Sequence, residues 1–194
     1  MHPLDIRKYK QSIRENSKKR RSEMDPQIKN KMDQSIADNV RRLNEYRPAK
    51  TLLVYVSTPI EVDTKRIIEN AWSDGKRVAV PSCIPDTRDM EFHYITSFSE
   101  LSPGSFSVLE PSEHQPIVTD FSNCLMIVPG MQFDMKGYRL GYGKGYYDRY
   151  MVRFTGKSAG LCYSNELKPY MHHGKYDRSV DIIVTEKRIK TCKK

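Results

Sequence analysis

The chain has 194 residues, with 33 Lys+Arg against 24 Asp+Glu and a formal charge of +9. That length suits a single domain, residues 1–194, with a hydrophobic core of its own. The charge suits an anionic partner such as a nucleotide, a nucleic acid or a polyanionic metabolite. No apolar run of about eighteen residues occurs, and MHPLDIRKYK has no apolar segment, so neither a membrane span nor a secretory signal is expected. Cys83, Cys124, Cys162 and Cys192 are far apart and form no C-x-x-C, which reads as reduced thiols in a cytoplasmic protein.

The chain opens with a basic helix expected over residues 5–23. Lys10 and Arg14 lie four apart on one face, where their repulsion makes a bound anion a reason for the pairing. The run Lys18-Lys19-Arg20-Arg21 has an equally simple reading as a solvated helix face. Asp25-Pro26 is a helix start, and Ile28, Met32, Ile36, Val40 and Leu43 recur at helical spacing as core. Residues 51–56 read as a central strand, apolar on both faces and therefore parallel. Glu61-Val62-Asp63-Thr64 follows, then a helix through Ile67, Ile68, Ala71 and Trp72 that closes at Gly75. Glu61 stands where open α/β sheets place ligands, or serves only as a helix-start charge.

Residues 77–81 form the second strand and 90–95 a half-buried one, whereas 97–116 has no clean period and reads as a long functional loop. Leu125-Met126-Ile127-Val128 is a buried strand closed by Pro129-Gly130. After it come Gly137, Gly141, Gly143 and Gly145, with Arg139 and Lys144 between them, and then Tyr146-Tyr147-Asp148-Arg149-Tyr150, which starts a helix reaching about Phe154. A strand, a glycine-rich basic loop and a helix start make the layout of a phosphate site. The spacing fits neither the P-loop nor the dinucleotide fingerprint. Asp148 and Asp177 are the candidate Mg²⁺ carboxylates; Asp148 could instead pair with Arg149 or a neighbouring lysine. Strands over 158–163 and 181–186 and a basic tail over 187–194 finish the chain. His172 and His173 are adjacent, a poor geometry for a metal pair. No nucleophile motif is present, so the chemistry expected is phosphoryl transfer by positioning and charge neutralisation.

VPGMQFDMKGYRLGYGKGYYDRY resembles the signature of the 5-formyltetrahydrofolate cyclo-ligase (5,10-methenyltetrahydrofolate synthetase) family. Lys10-x-x-x-Arg14, with Arg20 also fitting, and Glu61-Val62-Asp63-Thr64 resemble its other motifs. The resemblance implies an α/β three-layer sandwich with a mostly parallel sheet and two N-terminal helices. It also implies ATP- and Mg²⁺-dependent ring closure of 5-formyltetrahydrofolate, with no nucleic-acid, membrane or obligate protein partner. The implied catalytic groups are Lys10, Arg14, Arg139 and Lys144. ATP would lie on Lys10, Arg14, Arg139, Leu140, Gly141, Tyr142, Gly143, Lys144, Gly145, Tyr146 and Tyr147. The folate would lie on Arg14, Val56, Glu61, Tyr142, Gly143, Lys144, Gly145 and Tyr146, and Mg²⁺ on Asp148 and Asp177. Ser107, Asn165 and Tyr176 depart from the family pattern. Two rival readings stay open from the residues alone: a basic nucleic-acid-binding protein, and a nucleotide- or folate-binding module without turnover.

Overall fold

The structure, a computed structural model, describes residues 6–104 and 108–192. Two helices come first, α1 (Ile6–Ser22) and α2 (Pro26–Arg41). The Asp25 carboxylate accepts hydrogen bonds from the N–H groups of Gln27 and Ile28, with Pro26 at the first position, so cap chemistry sets the start of α2. There follow β1 (Thr51–Val54), α3 (Lys65–Ser73), β2 (Arg77–Cys83), β3 (Met90–Ile95), β4 (Leu101–Pro103), β5 (Leu109–Pro111) and β6 (Cys124–Val128). The rest of the chain forms β7 (Gln132–Asp134), β8 (Arg139–Leu140), α4 (Tyr146–Arg153), β9 (Lys157–Leu161), β10 (Leu167–Lys168), β11 (Ile182–Val184) and β12 (Ile189–Thr191).

The main sheet has the order β12-β11-β9-β6-β1-β2-β3. Its five central strands pair in parallel, and β12 and β3 are antiparallel edges. Leu52, Val54, Leu125 and Ile127 face Ile36 and Val40 of α2 and Ile67 and Ile68 of α3. On the other face, Leu53, Met126, Val128 and Ile183 pack with Phe133 and with Tyr150 of α4. Helices on both faces bury β1, β6 and β11 completely, which is why they read as unbroken apolar runs. The α/β class read from the residues and the three layers implied by the resemblance are both present. Strand order reverses where β1 sits between β2 and β6, and the carboxyl ends of β1 and β6 border the crevice that such a reversal leaves. No helix among the described residues is long and apolar enough to cross a membrane.

Four expectations are corrected. Ile28 is 56% exposed and is not core. Residues four apart drift about 40° around a helix, so two steps carry Ile28 away from the face centred on Ile36 and Val40. The stretch 97–116 carries the β4–β5 hairpin, too short to show a period. The basic tail contains β12, whose alternating Ile189-Lys190-Thr191 forms a mostly exposed edge. Between β6 and the glycine loop lies the hairpin β7–β8, which joins β10 in a separate small sheet.

The Phe133 ring of that hairpin lies between two glycines. A Cβ on Gly160 would come 2.2 Å from Phe133 Cε1, and one on Gly130 2.5 Å from Cε2. Gly160→Ala is therefore expected to cost about 1–3 kcal/mol in urea unfolding, and to cost less in a Phe133→Leu background.

Candidate active site

The site is built around a polar stripe on α1. Lys10, Arg14, Ser17 and Arg21 follow at intervals of four, three and four, so they share one face. The only buried residues of this helix are Ser17 and Arg21. Each member of the stripe reaches a distant segment. Lys10 Nζ lies 2.6 Å from Asp177 Oδ2. Arg14 Nε donates to the Gly141 carbonyl at 2.8 Å. Ser17 Oγ donates to Glu166 Oε2 at 3.2 Å. Arg21 Nη2 donates to the carbonyls of Gly130 and Met131 at 2.9 and 2.7 Å, and its guanidinium lies 5.6 Å from the centre of the Tyr163 ring. The buried Glu166 also accepts from Gln132 Nε2 at 2.8 Å and from Arg20 Nη2 through both of its oxygens, each at 3.0 Å.

The turn from Gly141 to Gly145 hangs between β8 and α4. Gly143 (φ 95°) and Gly145 (φ 78°) adopt the left-handed conformation that favours glycine, and Gly145 caps α4. A Cβ on Gly143 would lie 3.2 Å from Arg14 Nη2, so the helix cation and the turn are in contact. Tyr142, Gly143 and Lys144 are exposed at the tip, and the Lys144 carbonyl accepts from Arg149 Nη1 at 3.3 Å. Lys18 Nζ stands 5.8 Å from the centre of the Tyr142 ring. Burial, then the nearby Glu61 carboxylate, push the Tyr142 phenol up, which joins the turn to the segment after β1. Glu61 is itself buried, and its Oε2 accepts from the N–H and hydroxyl of Thr58 at 2.8 and 2.9 Å. Val56 is half-buried against the adjoining core.

Arg139 lies beneath the turn. Its side chain is only 4% exposed, with Nη2 3.1 Å from Asp148 Oδ1, and Nη1 donates to the Arg178 carbonyl at 3.1 Å. Burial pushes this guanidinium down, with Asp148 and Asp177 opposing the shift; it stays charged at neutral pH. Asp148 Oδ1 also accepts from the Arg178 N–H at 3.0 Å. Asp148 therefore pairs with Arg139.

Leu140 is buried, and its carbonyl accepts from the Met131 N–H at 2.7 Å. Tyr146 is half-buried beside Cys83. The Tyr147 hydroxyl is buried without a hydrogen-bond partner; burial, then Glu61, push it well up. Lys10, Arg139 and Leu140 line one small cavity, so the first helix and β8 meet here. The structure thus gathers Lys10, Arg14, Arg139, the 140–147 turn, Asp148 and Asp177 in one place, with Glu61 reached through Tyr142.

Residues 6–186 match the 5-formyltetrahydrofolate cyclo-ligase family. The chain belongs to this family. It is an enzyme, and its relatives carry the family's name. It is 31% identical to a probable 5-formyltetrahydrofolate cyclo-ligase of Schizosaccharomyces pombe, over 80% of this chain and 84% of that one. It is 29% identical to the 5-formyltetrahydrofolate cyclo-ligase of Haemophilus influenzae, over 79% and 85% of the two chains. Its fold matches the Aquifex aeolicus 5,10-methenyltetrahydrofolate synthetase with a TM-score of 0.83 at 26% identity, covering 95% of this chain and 93% of that one.

Of the departures from the family pattern, Ser107 lies outside the described residues. Asn165 is exposed on a 3-10 turn, its carbonyl accepting from Lys168 Nζ at 2.6 Å. Tyr176 is 78% exposed, 5.9 Å from Lys175 Nζ. Sequence reasoning missed Ser17, Arg21, Gln132 and Glu166. The signal for the first two was present, since they continue the Lys10–Arg14 face; nothing local marked Glu166.

Burial raises the Asp177 carboxyl, but hydrogen bonds from Lys10 Nζ and the Gly174 N–H, with the charges of Lys10 and Arg139, outweigh it and the net shift is downward. A carboxylate held below its unfolded value adds stability above about pH 4 and loses it as pH falls through the lowered value. Thermal unfolding followed from about pH 6 to about pH 2 should therefore fall less steeply on the acid side in Asp177→Asn than in the wild type.

Proposed function

We propose that this enzyme converts 5-formyltetrahydrofolate to 5,10-methenyltetrahydrofolate while splitting ATP to ADP and phosphate. The observation that carries this reading is the meeting of Arg14 with the glycine turn, 2.8 Å from Nε to the Gly141 oxygen, beside Lys10. An exposed turn with left-handed glycines, a helix start and two half-buried cations together suit a polyphosphate. The orphaned Tyr147 hydroxyl and the buried Glu61 supply polar groups for a second, less charged substrate in the crevice beside β1. The inward use of Arg20 and Arg21 leaves less of the basic run for a nucleic acid.

The chemistry follows from the substrate. A formamide oxygen is a poor leaving group. The formyl oxygen attacks the γ-phosphorus, the bond to ADP breaks, and an iminium phosphate forms on the folate. The second folate nitrogen adds to the formyl carbon and loses its proton, and the C–O bond breaks to release phosphate. Lys10, Arg14 and Lys144 offset the charge on the phosphates, and backbone N–H groups of Gly141, Gly143 and Gly145 add fixed donors. Leu140 contributes backbone to the same wall. Tyr142, Tyr146 and Tyr147 line the junction of the two substrates, with Val56 and Glu61 on the folate side. Arg139, whose guanidinium is already engaged, orients Asp148 from below.

Asp148 and Asp177 fit a Mg²⁺ ion held jointly with the nucleotide. The protein hydrogen bonds of each carboxylate go to one oxygen, Oδ1 of Asp148 and Oδ2 of Asp177. Among the described residues no three ligating side chains cluster, so phosphate oxygens and water would complete the coordination. A bound Mg²⁺ would supply charge neutralisation at the phosphates.

The deciding experiment incubates the enzyme with ATP, Mg²⁺ and 5-formyltetrahydrofolate and follows the near-ultraviolet absorbance of the methenyl product; no product with stoichiometric enzyme refutes the proposal. Lys10→Ala should lower kcat/KM for ATP by roughly 10²-fold. Asp148→Asn should raise the Mg²⁺ concentration needed for half-maximal rate, and an unchanged requirement would remove the metal assignment.

A further inference from the structure

Glu166 has no part in the steps above. It ends a 3-10 turn after β9 and is 1% exposed. Its Oε1 accepts from Arg20 Nε and Nη2 at 3.1 and 3.0 Å. Its Oε2 accepts from Arg20 Nη2, Ser17 Oγ and Gln132 Nε2 at 3.0, 3.2 and 2.8 Å. A carboxylate accepts at about four lone-pair positions, and protein donors occupy them here. The group has no capacity left for substrate or metal, so any part it plays in the reaction runs through its neighbours.

Those neighbours stand at both ends of the contact between Arg14 and the glycine turn. On α1, Ser17 follows Arg14 by three residues on the same face, a rise of about 4.5 Å. On the hairpin, Gln132 of β7 pairs with Leu140 of β8. The next residue is Gly141, whose carbonyl accepts from Arg14 Nε at 2.8 Å. Gln132 Nε2 also donates to Ser17 Oγ at 3.1 Å. The contacts therefore close a ring that runs from Glu166 to Ser17, along the helix to Arg14, across to Gly141, back through Leu140 to Gln132, and to Glu166 again. A closed ring fixes the separation of the two elements it joins. Opening it at Glu166 frees the helix to shift against the hairpin, and a misplacement of about 1 Å far from the chemistry can cost on the order of 10²-fold in rate.

We infer that Glu166 is a positioning residue, holding the first helix and the β7–β8 hairpin at the separation that keeps Arg14 on the glycine turn. This inference rests on the phosphate role given to Arg14. The test measures kcat/KM for ATP in Glu166→Ala, in Arg14→Ala and in the double variant, with thermal unfolding of each to establish that it is folded at the assay temperature. Glu166→Ala is expected to lower kcat/KM at least about tenfold. In the Arg14→Ala background the same substitution should change it by less than about twofold, because the group being positioned is gone. Glu166→Gln keeps an acceptor oxygen for Arg20 and should recover to within about threefold of the wild type. Should Glu166→Ala fail to fold, Gln132→Leu opens the same ring and should show the same dependence on Arg14. Additive losses make Glu166 a part of the fold alone and overturn the inference while leaving the phosphate role of Arg14 intact. Unchanged kcat/KM in Glu166→Ala also overturns it. Unchanged kcat/KM in Arg14→Ala refutes the phosphate role, and the inference with it.

Discussion

The arrangement depends on a helix docked by charge. Most helices of an α/β protein are held by an apolar stripe, as α2 and α3 are here through Ile36, Val40, Ile67 and Ile68. The first helix is held by Lys10, Arg14, Ser17 and Arg21. Apolar contacts tolerate sliding, whereas hydrogen bonds to charged groups fix register, and each is worth about 1.5–3 kcal/mol when shielded from water. Arg21, 3% exposed, is the most buried of the three cations and takes two carbonyls just after β6. A desolvated cation requires good geometry, so this contact sets the rotation of the helix and thereby aims Arg14 and Lys10.

The sheet supplies the fixed surface on which that geometry is read. Its buried strands end at a crevice, and the segments leaving β1 and β6 carry Glu61 and Gly130. The small β7–β8–β10 sheet then raises the glycine turn to the level of α1. Gln132 of β7 and Glu166, next to β10, tie the same small sheet to Ser17. One hydrogen-bonded layer thus joins the helix, the turn and the crevice.

Much of this was legible in the amino-acid order because local chemistry sets it. Asp25-Pro26 starts α2, Leu125 to Val128 forms a buried strand, and the clustered glycines form a turn with left-handed backbone. The unread parts depend on partners distant in sequence. Arg20 and Arg21 look like solvent-facing charge until Glu166 and the Gly130 carbonyl arrive from more than a hundred residues away. Arg139 reads as a free cation until Asp148 and the Arg178 carbonyl claim it. Strands of two or three residues, such as β8 and β12, are too short to show a period.

The contact between Lys10 and Asp177 spans 167 positions. During synthesis, domains form from the N-terminus onward, yet the helix that completes this cleft is made first and its last anchor nearly at the end. It must wait on the ribosome while the strands assemble behind it. A helix whose inner face carries lysine, serine and arginine waits hydrated, with little greasy surface to attract other nascent chains. A product released before residue 177 is left with a sheet and a first helix that lacks its Asp177 latch.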